Sequence, residues 1–527
     1  MNFTLIIGIV FGSVFTALMC GLVSCRLLGI LQQEGYRGGA FVKWYCRRGN
    51  MQQKRLALLS LALALLTALF NLCFYFVPMP FPNLIALLPF AGIFVLYLLS
   101  EKKYALKVRV RFTPRLKRLM AAHLLLNLIL CAGLCFSMAF AALAADMVWL
   151  NLLRFVPIAL LPALLPFTLY LANGLAKCYE IPHTNKFVRR AKETLAKSNC
   201  VKVGITGSFG KTSVKHFALQ MLSEKFRVMA TPASYNTPAG IAKYVNTQGA
   251  DCDIFLAEMG ARRTGDIGEL CDMVCPNVAV VTGVCSQHLE TFGSLEAIFE
   301  EKKVLATRAE KVILGTSAKD MKEGALLEGE GFAAEDISLG CEGTKFTLRI
   351  GGKSAKIEVG LLGRHAAEDV ALAAALCFSL GMSFEEIVAA TAKLQPVPHR
   401  LEKIEGNGLL ILDDSYNSNV AGAHDAVEVL KLATGRRAVV TPGLVELGVL
   451  EEEENGKLGA ALVGLDLIIL VGETQALYIR NGYLAAGGEA EKLRIVPTLE
   501  GAQKLLAEEL AAGDAVLFLN DLPDCYS

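Results

Sequence analysis

The sequence predicts a helical membrane region followed by an α/β region with a mostly parallel sheet. Hydrophobic residues make up 54% of the 527 residues, and the mean hydropathy is +0.45, which is too apolar for an ordinary soluble protein. Five long apolar stretches occur in the first third of the chain. From about Ala176 onward, short apolar runs alternate with amphipathic helical stretches, which is typical of α/β domains.

The apolar stretches predict five transmembrane helices, because about 20 apolar residues are needed to cross a bilayer. They comprise residues 3–23, 56–77, 81–100, 124–144 and 150–172. We interpret the first stretch as a retained helix and not as a removed signal peptide, because it has no convincing cleavage site and four more spans follow it.

Loop charges predict the orientation of these helices, since cytoplasmic loops carry an excess of Lys and Arg. Basic residues are concentrated after the first and third spans, whereas residues 78–80 and 145–149 contain no Lys or Arg. We therefore expect a multi-pass protein of the cell membrane, with its N-terminus outside and its α/β region in the cytoplasm. The basic loops are expected to contact anionic membrane lipids, and a lipid-substrate site is the alternative.

Net charge and cysteine usage exclude some classes of protein. The net charge is +2, whereas a dedicated nucleic-acid binder would need a basic face, so we expect no nucleic-acid partner. The 15 cysteines include no CxxC pair. This pattern does not indicate a structural zinc site, and it fits a reducing cytoplasm.

A phosphate-binding loop follows the first predicted strand of the α/β region, residues 201–206. The glycines in Gly-Ser-Phe-Gly-Lys-Thr-Ser, residues 207–213, let backbone N–H groups converge on phosphate oxygens. Lys211 supplies a positive charge, and Thr212 offers a hydroxyl for Mg²⁺. The spacing is a variant of the common motif, which would place a glycine where Ile205 stands. The predicted ATP contacts of this segment are Thr206, Gly207, Ser208, Gly210, Lys211, Thr212 and Ser213.

Two further polar side chains follow predicted buried strands, where α/β sheets place ligands. Glu258 ends the apolar run 254–258, and a carboxylate there can hold Mg²⁺, although it could equally cap a helix. His288 follows the strand 278–282, and a lone histidine in such a place is more often structural than functional. A fourth strand is predicted at residues 312–315.

Nine short motifs lie along the α/β region in one order. They are Thr-Gly-Ser-Phe-Gly-Lys-Thr-Ser at 206–213, Tyr-Asn-Thr-Pro-Ala-Gly at 235–240, Ala-Glu-Met-Gly at 257–260, His-Leu-Glu-Thr-Phe-Gly-Ser at 288–294, Glu-Glu-Lys at 300–302, Gly-Arg-His at 363–365, Pro-His-Arg at 398–400, Asp-Asp-Ser-Tyr-Asn-Ser-Asn at 413–419 and Val-Glu-Leu-Gly at 445–448. Together they resemble the Mur ligase family, most closely its D-alanyl-D-alanine-adding branch. The resemblance covers roughly residues 202–521.

The resemblance implies an organisation in three domains. A transmembrane domain at 1–175 replaces the family's usual N-terminal domain. A central P-loop-type ATP-binding domain follows at 176–400, and a Rossmann-like C-terminal domain at 401–527. The family uses ATP and Mg²⁺ to convert a carboxylate into an acyl phosphate, which an amine then attacks.

The resemblance also assigns roles to individual residues. The catalytic residues that it implies are Lys211, His288, Lys302 and Arg400. The metal ligands that it implies are Thr212, Glu258, His288 and Lys302, the last as a carbamate. The nucleotide contacts that it adds from the end of the central domain and from the C-terminal domain are Arg400, Asp414, Tyr416 and Asn417. A surface lysine in a charged helix is the alternative interpretation of Lys302.

Three departures from the family bear on the substrates. The domain that holds the UDP end of the substrate is replaced by the predicted spans. Ala366 and Asp369 stand where the family tends to place Asn near the nucleotide. Residues 516–524 read Val-Leu-Phe-Leu-Asn-Asp-Leu-Pro-Asp, where relatives carry Lys-Gly-Ser-Arg after a buried strand. These departures leave both the acceptor and the incoming amine open.

The sequence therefore predicts a membrane-anchored ATP-dependent ligase whose partners are a carboxylate acceptor and an amine. The acceptor is expected to be a cell-wall precursor, or a lipid-linked or polymeric peptide. One alternative is a poly-amino-acid synthase of the poly-γ-glutamate type, against which the motifs at 413–417 and 445–448 argue. Another is a non-catalytic, ATP-binding membrane scaffold, which would not need the metal-binding and carbamate positions together.

Overall fold

The computed structural model describes residues 3–47, 50–76, 87–101, 110–144, 156–232, 235–286, 289–406, 408–416, 418–445 and 447–520. The chain divides into two compact units at His183 and Thr184. The domain boundaries predicted at residues 175 and 400 stay predictions.

The N-terminal unit is helical because its sequence consists of apolar runs with few breaking residues. Its helices are α1 (Phe3–Val23), α2 (Cys25–Gln33), α3 (Gly38–Tyr45), α4 (Met51–Phe76), α5 (Leu87–Glu101), α6 (Pro114–Ala144) and the first part of α7 (Val156–Lys197). Its core contains Leu27, Leu56 and Phe94, which are fully buried. Large apolar side chains such as Phe140 and Phe167 are also exposed on its outer surface, which is typical of helices that face lipid.

Fewer helices than predicted meet the length and apolarity of a membrane span. In the part of the chain that the structure describes, Pro114–Ala141 and Ala159–Lys197 are long and apolar enough, and the bent pair Ile9–Val23 and Cys25–Gln33 would make a third. Of the five predicted spans, the described helices are long and apolar enough for two or three. Helix α5 has 15 residues, and α4 begins with the polar sequence Gln-Gln-Lys-Arg at 52–55. The connections 77–86, 102–109 and 145–155 lie outside the described residues.

The second unit contains a six-stranded parallel sheet, which confirms the predicted parallel sheet and adds β2 and β6 to the four predicted strands. Its strands are β1 (Val201–Thr206), β2 (Val228–Ala230), β3 (Ile254–Glu258), β4 (Val278–Val281), β5 (Lys311–Leu314) and β6 (Leu326–Leu327). Their order is β2-β3-β1-β4-β5-β6, with every neighbouring pair parallel. All carboxyl ends therefore meet at one edge, where the loops after β1 and β3 are neighbours.

Helices cover both faces of this sheet, as the apolar strands require. They are α8 (Lys211–Leu222), α9 (Pro238–Gln248), α10 (Asp266–Val274), α11 (Leu289–Phe292) and α12 (Leu295–Arg308). A three-stranded antiparallel sheet follows, with β7 (Phe332–Leu339), β8 (Thr344–Ile350) and β9 (Lys353–Val359). Helices α13 (Arg364–Ser379) and α14 (Phe384–Thr391) pack between the two sheets in one apolar core.

The last part of the second unit is another α/β layer structure. Its strands are β10 (Glu402–Gly406), β11 (Leu409–Asp414), β12 (Arg437–Thr441), β13 (Leu467–Val471), β14 (Leu493–Val496) and β15 (Ala515–Leu519), in the order β10-β11-β15-β12-β13-β14. Only β10 is antiparallel to its neighbour. The covering helices are α15 (Val420–Lys431), α16 (Glu451–Ala461), α17 (Thr474–Ala485) and α18 (Leu499–Glu509). Asp414, at the end of β11, faces the junction with the first sheet.

Candidate nucleotide and metal site

The loop between β1 and α8 has the geometry that a phosphate-binding loop requires. Gly210 has a φ of +73°, which side chains with a Cβ rarely adopt. A Cβ on Gly207 would lie 1.9 Å from Thr282 Oγ1, and one on Gly210 would lie 2.4 Å from Asp369 Oδ1. Only glycine fits at these two positions, so the loop can bring its backbone close to a ligand at the start of α8.

Lys211 lies over this loop. Its Nζ donates to the carbonyls of Gly207 at 2.7 Å and Ser208 at 3.2 Å. Burial, and to a lesser extent the charge of Arg400, lowers the pKa of Lys211. The Thr206 hydroxyl donates to Met259 O at 2.9 Å, so the hydrogen of this predicted contact is already used within the protein.

Glu258 lies beside Thr212, and both were predicted as metal ligands. Glu258 is 2% exposed, and its Oε2 accepts from Thr212 Oγ1 at 3.1 Å. The same oxygen accepts from Lys215 Nζ at 2.8 Å, and Oε1 accepts from Asn236 Nδ2 at 3.3 Å. Hydroxyl and carboxylate oxygens are ligands that Mg²⁺ prefers, so this pair fits a magnesium ion.

Sequence reasoning missed Lys215. Its spacing in the sequence could have indicated a place in the site. Lys215 lies three residues after Thr212 and four after Lys211, and residues at these spacings share one face of a helix. Its pairing with Glu258 joins residues 43 positions apart, which periodicity alone does not reveal.

Lys302 is buried on α12, not exposed as a surface lysine would be. Its exposed fraction is 4%. Burial, and then the positive charge of Lys211, lowers the pKa of Lys302 to about 7. The neighbouring Glu301 accepts from the backbone N–H groups of Gly265 and Ile267, both at 2.7 Å, which fixes this part of α12. His288, the other metal ligand implied by the resemblance, lies outside the described residues.

A cavity at the junction of the two α/β parts joins the phosphate loop to β11. Its lining includes Phe209, Ser213, Arg400 and Asp414. The guanidinium of Arg400 lies 5.1 Å from the centre of the Tyr416 ring, within the range of a cation–π contact. The predicted contacts Arg400, Asp414 and Tyr416 thus come together, whereas Asn417 lies outside the described residues.

The segment 399–401 fixes Arg400 at this junction. His399 has a φ of +62° and Leu401 one of +44°, which are strained conformations for these residues. His399 Nδ1 lies 2.7 Å from Asp413 Oδ2, and Leu401 N donates to Asp414 Oδ1 at 3.2 Å. These contacts with β11 stabilise the strained backbone on both sides of Arg400.

Asp369 is a neighbour of the phosphate loop whose contribution the sequence left open. Its carboxyl packs against Gly210 and hydrogen-bonds the Ser213 side chain. Burial raises the pKa of Asp369 to about 8. A protonated carboxyl carries no charge and can donate a hydrogen bond, much as an Asn amide does.

His365 is a second titratable side chain of this cavity, and it is protonated at neutral pH. Burial opposes its protonation, but the hydrogen bond to Glu368 and the charge of Asp425 raise the pKa of His365 to about 9. Its ring lies 5.9 Å from that of Phe209. At neutral pH the cavity therefore presents a protonated histidine and an uncharged Asp369 to an anionic ligand.

Comparison with known proteins identifies the family. The Mur ligase middle domain matches residues 205–377, and the Mur ligase glutamate ligase domain matches residues 399–520. Because the two models together match more than half of the chain, the chain belongs to the Mur ligase family. The resemblance predicted from the nine motifs is confirmed.

Curated relatives agree with this assignment. The UDP-N-acetylmuramoyl-tripeptide--D-alanyl-D-alanine ligase of Escherichia coli (strain K12) is 31% identical over 290 residues, which cover 51% of this chain and 64% of that protein. The enzyme of the same name from Mycobacterium tuberculosis (strain H37Rv) is 28% identical over 352 residues, covering 60% and 69%. The chain thus spans about two thirds of the length of these relatives.

A solved structure has the same fold. The MurF ligase from Thermotoga maritima in complex with ADP aligns with a TM-score of 0.58 and 26% identity, covering 64% of this chain and 80% of that chain. This match supports the predicted pair of α/β domains.

The raised pKa of Asp369 predicts a pH-dependent affinity for ATP. Above about pH 8 the carboxyl becomes an anion beside Gly210 and repels the phosphates. We expect the affinity for a fluorescent ATP analogue to fall by about tenfold, which corresponds to about 1.4 kcal/mol, as the pH rises through this value.

Asp369→Asn is the matched control, because it keeps the shape and removes the charge. Only the decline caused by deprotonation of His365, whose pKa is raised to about 9 in the wild type, should then remain. Identical pH profiles for the two proteins, measured by fluorescence titration, would contradict the neutral state of Asp369.

Proposed function

We propose that this protein is a membrane-anchored, ATP-dependent and ADP-forming ligase that joins a carboxylate to an amine on a peptidoglycan precursor. The observation that carries the proposal is the cluster at the carboxyl edge of the first sheet. There Lys211, Thr212, Glu258 and Lys302 surround the phosphate loop, and Arg400 approaches from the junction.

This cluster suits a reaction between two anions. An oxygen of the acceptor carboxylate attacks the γ-phosphorus of ATP, and ADP leaves. Lys211 and Arg400 offset the repulsion between the reactants and the charge of the transition state. Thr212 and Glu258 would hold Mg²⁺, which would supply further positive charge to offset that of the reactants.

The second step forms the amide. The amine nitrogen attacks the carbonyl carbon of the acyl phosphate, inorganic phosphate leaves, and the nitrogen loses a proton. A reaction inside the cavity at the junction would protect the acyl phosphate from water. The strained segment around Arg400 positions one cation for both steps, since the phosphate group is present in each.

Lys302 is proposed to act as a carbamate. Its amine nitrogen attacks the carbon of CO₂ and loses a proton, which requires a neutral amine. Burial and the nearby Lys211 favour that neutral form. The carbamate product is an anion, so it would be attracted to Lys211 and would offer oxygens to a second metal ion, where an ammonium would repel one.

The acceptor proposed first is UDP-N-acetylmuramoyl-tripeptide with D-alanyl-D-alanine as the amine, from the names of the relatives. A lipid-linked muramoyl peptide is the second candidate. The observation that favours it is the apolar outer surface of the N-terminal unit, with at least two helices that could span a membrane. In this proposal all five predicted spans anchor the chain, and the ligase works in the cytoplasm.

Product analysis tests the activity. Detergent-purified protein is given ATP, D-alanyl-D-alanine and either acceptor, and the products are examined by mass spectrometry. We expect ADP and one acceptor–dipeptide adduct in equal amounts, and no adduct with Lys211→Ala. ATP binding without acceptor-dependent ADP release would favour the scaffold, and polymer formation from a single amino acid would favour the poly-amino-acid synthase.

The role of Lys302 is tested by removing its side chain. Lys302→Ala should lower the ligation rate by about 10²-fold or more, because an oriented charge at the phosphates is lost. Formate or acetate should restore part of the rate, since a small carboxylate can take the place of the carbamate. The neighbouring and more exposed Lys303 provides the control Lys303→Ala, which should react normally. Full activity of Lys302→Ala would exclude the metal-site role.

A further inference from the structure

Lys215 is a buried cation in contact with the carboxylate proposed to hold the metal. It is 5% exposed, and its Nζ lies 2.8 Å from Glu258 Oε2. A buried charge is stable only when it is paired and hydrogen-bonded. Lys215 and Glu258 therefore each depend on the other in the folded protein.

The two oxygens of Glu258 are not equivalent. Oε2 accepts from both Lys215 and Thr212, at 2.8 and 3.1 Å. Oε1 accepts from Asn236 at the longer distance of 3.3 Å. Because a hydroxyl keeps its lone pairs when it donates its hydrogen, Thr212 can still offer an oxygen to a metal ion in this arrangement. Oε1 is the oxygen that Glu258 could offer.

The surroundings of Glu258 are strongly cationic. Besides Lys215, Lys211 and Arg400 are cations near the same edge. This set of charges would repel a free divalent cation. The negative charge of Glu258 would not offset the repulsion, because Lys215 already balances it. A cation bound to the ATP phosphates brings compensating negative charge with it.

We propose that Lys215 is a positioning residue that competes with divalent metal for Glu258, so that the site binds metal only together with the nucleotide. The inference rests on the proposed metal-binding role of Glu258. Lys215 holds the carboxylate in place before ATP arrives and prevents a lone metal ion from occupying it. The metal enters as its complex with ATP, so the metal and the nucleotide bind together.

The test measures metal binding without turnover. Mn²⁺ binding to the full-length protein in detergent is followed by electron paramagnetic resonance, with and without a non-hydrolysable ATP analogue. The wild type should bind Mn²⁺ weakly alone and tightly with the analogue. Lys215→Met removes the charge and should tighten nucleotide-free Mn²⁺ binding by at least about tenfold, whereas Lys215→Arg should retain weak binding.

Stability provides a second readout. Lys215→Met leaves Glu258 buried without its cation, so its thermal unfolding temperature should fall in the absence of metal and recover with Mn²⁺. Lys215→Gln can still donate to Glu258 and is the variant to use if Lys215→Met does not fold. Lys225→Met is the matched control, because Lys225 is an exposed lysine just beyond α8 that pairs with Glu386. It should bind Mn²⁺ as the wild type does.

The outcomes separate this inference from the proposed function. Nucleotide-free Mn²⁺ binding that is unchanged or weaker in Lys215→Met and Lys215→Gln overturns the role of Lys215. Tight Mn²⁺ binding by the wild type without nucleotide also overturns it. If the wild type binds no Mn²⁺ even with the analogue, the proposed metal site itself is wrong.

Discussion

Charge balance at one edge of the first sheet is the constraint on which the site depends. In the proposed reaction two anions meet at this edge, so cations have to be buried there to offset their repulsion. The parallel pairing of β1 with β3 places Ile205 opposite Glu258, which brings the start of the phosphate loop and the carboxylate to the same level. Helix α8 then supplies Lys211, Thr212 and Lys215 from its first two turns.

Asp369 and Lys302 affect the charge balance because burial makes each of them less charged. Burial keeps Asp369 neutral beside the loop, and it favours a neutral Lys302. Both shifts remove charge where an additional anion or cation would oppose the reaction. The strained segment at His399 and Leu401 is held by contacts with β11, which keeps Arg400 at the cavity.

The features that depend on local sequence patterns were predicted correctly. Strands β1 and β3 begin and end where predicted, the glycines of the loop have the required geometry, and Glu258 ends its strand. The pairing of Lys215 and the protonation of Asp369 could not be predicted, since both depend on residues distant in sequence and on burial. The five predicted spans rested on apolar length alone, and the described helices support two or three.

The acyl phosphate is the central claim, and oxygen labelling tests it most directly. The acceptor carboxylate is labelled with ¹⁸O, the ligation is run with ATP and the amine, and the released phosphate is examined by mass spectrometry. Transfer of one ¹⁸O atom from each ligated acceptor to phosphate is the predicted result, because the carboxylate oxygen attacks phosphorus and leaves with it. Formation of the amide with unlabelled phosphate would contradict the account.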